Sequence, residues 1–287
     1  MKQEQPGFTF YGSFAEFVKI NRASRNIRLL PEGVSFVEAA ALGCRFTTAY
    51  RAVLQQGLGI QQLMLPNHQN NGHVVCHPSF SSSDWAKREK SIAIFGCGGL
   101  GLSCVMIAKA FQSEGKINKI IAVDVSSKAL EKAIELGATH SINASHFHGS
   151  NEKIIQKVLD MSDGLGVEIS IDAAGFQSTC ENALYCTRRG CRMIQVGLPI
   201  GNKRPNINMG FVAGREIEIV GSHGFDACDL PLLLHLISEG RLDVKKLIEK
   251  ETSLEEGVTT LMNMDKTSPL GMVMITKFST QLTSCKL

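Results

Sequence analysis

Ser91-Ile92-Ala93-Ile94-Phe95-Gly96-Cys97-Gly98-Gly99-Leu100-Gly101 sets an apolar β-run directly against a glycine-rich turn. Behind it, residues 100–111 carry Leu, Val, Met and Ile at helical spacing. A lone Gly-x-Gly-x-x-Gly is a weak signal, but one that ends a strand and opens a helix is specific. Gly96 permits the tight turn, Gly98 lets a ligand approach the backbone, and Gly101 lets the helix lie against the strand. Gly99 and Leu100 fall in the first turn of that helix, whose positive end stabilises an anion. The stretch therefore predicts a cradle for a diphosphate, and with it a dinucleotide.

The next apolar strand, Ile120-Ile121-Ala122-Val123, delivers Asp124, 23 residues beyond Gly101. An acidic residue at that point accepts hydrogen bonds from the adenosine ribose hydroxyls. Its carboxylate repels a 2′-phosphate, and Val125, Ser126 and Ser127 supply no arginine to offset it. NAD is expected over NADP. Lys128 is a further candidate contact to the cofactor, beside the plainer reading of a solvated first-turn lysine.

Working outward, short apolar runs alternate with helical patterns from residue 91 to about residue 221, which is the mark of βαβ units. Strands are expected at 91–95, 119–123, 140–143, 167–172, 191–196 and 216–220, and helices at 100–111, 127–136, 152–161 and 178–188. The fold class is α/β, a doubly wound parallel sheet of the Rossmann type. Before this block, 14–20 reads as a strand and 37–42 and 47–54 as helices. After it come helices at 230–238 and 254–264 and a closing strand at 271–276. These outer pieces call for a packing partner of their own. Residues 61–90, rich in Asn, Ser and His without a period, read as a long loop or disordered insertion.

Composition narrows the function classes. The 287 residues are 44% hydrophobic and 20% charged, enough for a globular chain with a proper core. The net charge of +3 is spread without a basic run and the chain has only 1 Trp and 3 Tyr, so nucleic acid is not an expected partner. No apolar stretch approaches the roughly 20 residues that span a bilayer, and Met1-Lys2-Gln3-Glu4-Gln5-Pro6 is too polar for a signal peptide. No membrane association and a cytoplasmic location are expected. Nine cysteines, scattered mostly in apolar strands and helices, do not read as a disulfide framework.

Leu42-Gly43-Cys44-Arg45-Phe46-Thr47-Thr48-Ala49-Tyr50, the glycine turn and Val196-Gly197 together resemble the zinc-dependent alcohol dehydrogenases of the medium-chain family. Gly12-Ser13-Phe14-Ala15-Glu16, Ile219-Val220-Gly221-Ser222-His223-Gly224 and the closing strand add to the likeness, which runs from residue 6 to 277. It implies remnants of a GroES-like β-rich catalytic domain at both ends of the Rossmann domain. The expected division is 1–46 for the first remnant, 47–221 for the NAD-binding domain with an insertion at 58–90, 222–278 for the returning segment and 279–287 for a disordered tail.

Residue by residue, the resemblance implies that Cys44 stands where the family places its third catalytic zinc ligand, and Thr48 where a threonine approaches the nicotinamide ring. Ala174, within Asp172-Ala173-Ala174-Gly175, and Val196 and Gly197 line the nicotinamide half of the cleft. The implied activity is hydride transfer between a small-molecule alcohol, or its aldehyde or ketone, and NAD, with zinc polarising the oxygen. The family also implies a homodimer through the strand at 216–220, which a lysine at Ile217 or Ile219 would disrupt.

The sequence departs from the family in two places. Its other zinc-ligand motifs lie upstream of the point where this chain begins, so a truncated chain is expected, with zinc a cofactor of the parent family that Cys44 alone does not hold. A non-catalytic NAD-binding protein or regulatory partner therefore stays open, as does a zinc-free enzyme similar to the quinone reductases. The stretch 58–90 is longer by roughly two dozen residues than an ordinary turn. Its His68, His73, Cys76 and His77 match no established metal spacing, and a polar insertion is the preferred reading. Cys97 reads as a small turn residue, and His223 as either a loop-packing histidine or a cofactor contact.

Overall fold

The structure is a computed structural model and describes residues 7, 9, 11–59, 89–199, 204–264, 266 and 269–278. Its centre is a parallel sheet of six strands: β1 (Lys90–Phe95), β2 (Ile117–Asp124), β3 (His140–Asn143), β4 (Val167–Asp172), β5 (Thr187–Gln195) and β6 (Glu218–Gly221). Their order is β3-β2-β1-β4-β5-β6, the doubly wound arrangement the sequence predicts.

Both faces of the sheet are covered, so β1 and the second half of β2 are apolar runs, while β4 carries Glu168 and Ser170, which are satisfied by Ser91 and Thr187. In β1, Ile92 and Ile94 face one core together with Ile120, Ile169, Ile171 and Ile194, while Ala93 and Phe95 face the other with Ile121, Val123 and Met193. The first core is closed by the helix Gly99–Ala110 through Leu102, Val105 and Ile107 and by the helix Leu230–Ser238 through Leu233 and Leu236. The helices Asn151–Met161 and Gln177–Tyr185 close the second through Ile154, Val158, Ala183 and Leu184.

The leading helix, Phe36–Tyr50, starts with a capping box: Ser35 and Glu38 satisfy each other's backbone N–H groups. Gly43 leaves helical geometry (φ 13°, ψ −152°), so the two expected helices, 37–42 and 47–54, are two arms of one kinked element. The Thr47 hydroxyl donates to the Gly43 carbonyl that the kink frees. The second arm runs on into a wider, π-type segment, Arg51–Leu58.

The outer pieces differ from the expectation. Residues 14–20 form no strand and pair with no strand among the described residues; Phe14 and Phe17 stand 64% and 74% exposed. At the other end a two-stranded parallel sheet does form, from β7 (Ile248–Ser253) and β8 (Met272–Lys277), bridged by the helix Leu254–Met262. Strand pairing outside the central sheet is thus seen at the C-terminal end and not among the described residues of 1–46. Arg241 fastens this end to the Rossmann core: it donates to the Ala110 carbonyl at the end of the helix Gly99–Ala110, pairs with Glu114 and stacks over Phe111.

Several boundaries also shift. The helix expected at 178–188 ends at Tyr185, and β5 begins at Thr187. A helix, Met209–Arg215, precedes β6, and Glu216 closes it in a left-handed conformation (φ 55°), so the last strand starts at Glu218 rather than at residue 216. Ile217 is consequently buried, and Ile219 is the exposed isoleucine of that edge. The expected insertion at 61–90 lies outside the described residues except for Glu89 and Lys90, and the tail at 279–287 lies wholly outside them.

Candidate active site at the strand switch point

The connections from β1 run to one side of the sheet and those from β4 to the other, so a crevice opens between their carboxyl ends. Gly96 forms its floor with φ 93°, and its N–H donates to the Val123 carbonyl at 2.8 Å. A Cβ on Gly96 would lie 2.7 Å from the Ala174 Cβ, and one on Gly101 would overlap the Gly96 carbonyl oxygen. Both glycines are therefore required by the close crossing of the turn with its neighbours. Gly98 is different: nothing lies within 4 Å of the Cβ position there, and the residue is exposed.

Gly98 is also the N-cap of the helix Gly99–Ala110, and no side chain caps it. Among the described residues no side chain accepts from the first-turn amides, those of Gly99 and Leu100 included, and the space beside Gly98 is open. A diphosphate fits this cradle: it needs room beside the backbone and free N–H donors, and both are present.

Asp124, at the end of β2, is half-buried and held from two sides. Its Oδ2 accepts the Cys97 N–H at 2.6 Å and its Oδ1 accepts the Ser126 N–H at 2.8 Å. The carboxylate thus ties the second strand to the glycine turn while keeping acceptor capacity for a further donor. Cys97 is fully buried; burial first, and the Asp124 charge second, push its thiol far above the usual range. It is a packed turn residue and no nucleophile. Lys128 stands exposed in the first turn of the helix Ser127–Glu135.

The floor of the other half is built by Asp172, the last residue of β4. Its side chain has no exposed surface; Oδ1 accepts the Ala174 and Gly175 N–H groups at 3.0 and 3.1 Å, and Oδ2 accepts Gln195 Nε2 at 2.7 Å. The same Nε2 donates to the Gly197 carbonyl at 2.7 Å. Val196 and Gly197 return N–H bonds to the Asp172 carbonyl, so the turns carrying Ala174 and Gly197 are clasped together. They cross so closely that a Cβ on Gly175 would overlap the Leu198 carbonyl.

Cys44 and Thr48 lie one helical turn apart on the second arm of the leading helix, with Cys44 Sγ 3.8 Å from Thr48 Oγ1. Cys44 is exposed and Thr48 buried. Among the described residues no three His, Cys, Asp or Glu side chains converge, so the donor set around Cys44 does not fit a zinc site and no step is derived through one. His68, His73, Cys76 and His77 lie outside the described residues. His223 is exposed. Arg45 and Gln195 border the crevice without a signal in the sequence: neither belongs to the glycine motif, and their partners, Gly271 and Asp172, are distant in the chain.

The sequence profile described as zinc-binding dehydrogenase matches residues 99–239. Sorbitol dehydrogenase of Bacillus subtilis is 28% identical over 248 residues, 85% of this chain and 58% of its own length. A probable D-xylulose reductase A of Aspergillus terreus is 28% identical over 167 residues, 58% of this chain and 45% of its own. The chain thus spans about half the length of the curated relatives it matches. Among solved structures, the alcohol dehydrogenase of Thermus sp. ATN1 superposes with a TM-score of 0.74 at 22% identity, covering 95% of this chain and 68% of the other. That of Aeropyrum pernix gives 0.71 at 25% identity, with coverages of 95% and 68%. The matched profile begins on the fingerprint helix and continues through Asp124, Asp172 and Gly197, the residues that build the crevice, and this part of the chain belongs to the zinc-binding dehydrogenases.

Proposed function

We propose that this chain binds NAD across the carboxyl ends of β1, β2, β4 and β5, and that the protein transfers a hydride between a small alcohol, or its aldehyde or ketone, and that cofactor. The observation that carries the reading is the Asp124 carboxylate, fastened to the Cys97 N–H at the rim of a cradle left open over Gly98. When bound, the nicotinamide ring accepts or gives up the hydride. The residues of the chain do the rest. The amides of Gly99 and Leu100 hold the diphosphate, Asp124 orients the adenosine ribose, and Ala174, Val196 and Gly197 line the ring's half of the crevice with Thr48 against the ring. The printed names of the relatives, sorbitol dehydrogenase and D-xylulose reductase, support a polyol or its ketose as the substrate class. They favour neither a non-catalytic binding protein nor a quinone reductase.

Domain organisation follows the family: residues 47–221 form the cofactor domain, and 1–46 and 222–278 belong with the catalytic one. The cysteines among the described residues, free and mostly buried, support a cytoplasmic setting. No helix among the described residues is long and apolar enough to cross a membrane.

NADH and NADPH titrations test the cofactor. NADH is expected to bind at least about tenfold more tightly, because the carboxylate at the ribose repels the extra phosphate. Asp124→Gly is expected to weaken NADH and to narrow that preference. Equal affinity of the unmodified chain for the two would overturn the assignment of Asp124.

The exposed edge of β6 is the proposed dimer surface. Ile219→Lys, 41% exposed, is expected to shift a dimer to a monomer in sedimentation without loss of folding. An unchanged sedimentation coefficient on a dimeric chain would place the interface elsewhere.

A further inference from the structure

Arg45 sits in the kinked leading helix, and its guanidinium lies flat against the first residue of the fingerprint helix. A Cβ built on Gly99 would fall 2.5–2.6 Å from its Cζ, Nη1 and Nε. Nη1 also donates to the Gly271 carbonyl at 2.9 Å, immediately before β8. Three parts of the chain meet at one cation: the leading helix, the C-terminal segment and the helix whose amides face the cradle.

Among the described residues no carboxylate pairs with it. Arg188, Arg192 and Arg241 each face a carboxylate, Glu168, Glu218 and Glu114 respectively. The hydrogen bond that fixes Arg45 goes instead to a carbonyl, which satisfies one donor of five and cancels no charge. A guanidinium beside the positive end of a helix is electrostatically unfavourable unless an anion lies between the two. The glycine pattern does not explain the packing either, because Gly99 occupies one of its free positions. Gly99 is small where a side chain would push the guanidinium away.

We infer that Arg45 is a diphosphate-binding residue of this site, supplying a fixed cation beside the backbone amides, and that through Gly271 it couples cofactor occupancy to the seating of the C-terminal segment. The inference rests on the cofactor reading above and deepens it. A planar, permanently charged fork suits a phosphate oxygen pair better than a lysine does.

Calorimetric titration of the full chain with NADH, ADP-ribose and adenosine tests it. Arg45→Gln is expected to weaken NADH and ADP-ribose roughly 10- to 100-fold, the range of a charge-assisted hydrogen bond, while leaving adenosine unchanged. Arg45→Lys is expected to recover part of the loss, and the salt dependence of NADH binding is expected to flatten in Arg45→Gln. Gly99→Ala, which displaces only the end of a flexible side chain, is expected to weaken NADH on its own and to add little in the Arg45→Gln background. If the unmodified chain binds NADH and Arg45→Gln binds it equally well, the inference fails and the cofactor reading stands. A parallel loss of adenosine affinity would reduce Arg45 to a structural role. If the folded, unmodified chain binds neither NADH nor ADP-ribose, both readings fall.

Discussion

Gly101→Val is expected to raise the Kd for NADH by about a hundredfold or more, the cost of displacing a binding cradle by roughly an ångström. Gly101 is buried, and any Cβ there overlaps the Gly96 carbonyl oxygen and approaches Ile94 Cγ2 to 3.6 Å. Neither neighbour can yield: Gly96 is pinned through its N–H to Val123 and by contact with Ala174, and Ile94 is central in β1. The fingerprint helix must therefore back away from the strand, opening the cradle. Overpacking at such a crossing costs about 1–3 kcal/mol of stability as well, read by urea unfolding. Gly98→Ala separates the two effects. Its Cβ meets no protein atom, so stability is expected to hold while NADH binding falls. Wild-type NADH affinity in Gly101→Val would mean that the turn is not the binding element.

Asp172→Ala is expected to destabilise the chain by about 3 kcal/mol or more, because three donors lose their acceptor at a fully buried position. The Ala174 and Gly175 amides and Gln195 Nε2 all converge on that one buried carboxylate. Asp172→Asn keeps an oxygen for the two amides but sets an NH2 against Gln195 Nε2. Turning the Gln195 amide over would present its unpartnered Oε1 to the new NH2, at the expense of the bond to Gly197. Asn is therefore expected to fall between Asp and Ala, at about 1–2 kcal/mol. Urea unfolding with an unchanged m-value checks both variants. A loss below about 1 kcal/mol in Asp172→Ala would show that the clasp between the two turns does not depend on this residue.

The Rossmann block was legible because β1 and the second half of β2 are buried on both faces and so are written as apolar runs, with the glycine turn marking which strand carries the ligand. The strands at His140–Asn143 and Val167–Asp172 stand where the pattern puts them. What failed to read depends on pairing at a distance. Residues 14–20 have the composition of a strand, but a strand exists only with a partner edge, and none is formed there among the described residues. Ile248–Ser253 is mostly polar (Ile-Glu-Lys-Glu-Thr-Ser) and becomes a strand through its register with Met272–Lys277. The helix Met209–Arg215 holds two glycines, a composition that hides it, and its left-handed end at Glu216 moves β6 by two residues.

The site shows the same division. Gly96, Gly98, Gly101 and Asp124 were legible because one motif and one strand end place them, and the structure brings all four to one crevice. Ala174, Val196 and Gly197 came only through the family likeness. The acceptor that clasps their turns, Asp172, and its partner Gln195 are joined across two strands. Arg45 lies inside the quoted family stretch, yet its place beside Gly99 follows from helix packing, which no local spacing encodes. Cys44 and Thr48 share a helix face, but side chains that would complete a metal centre are not assembled around them among the described residues.

The most direct measurement is an NADH titration of the folded chain of 287 residues, following the nicotinamide fluorescence, with NADPH as the competitor. Saturable binding of one NADH per chain that NADPH displaces only weakly is the result this account predicts. A chain that unfolds cooperatively yet shows no change in NADH fluorescence and no heat of binding would contradict it.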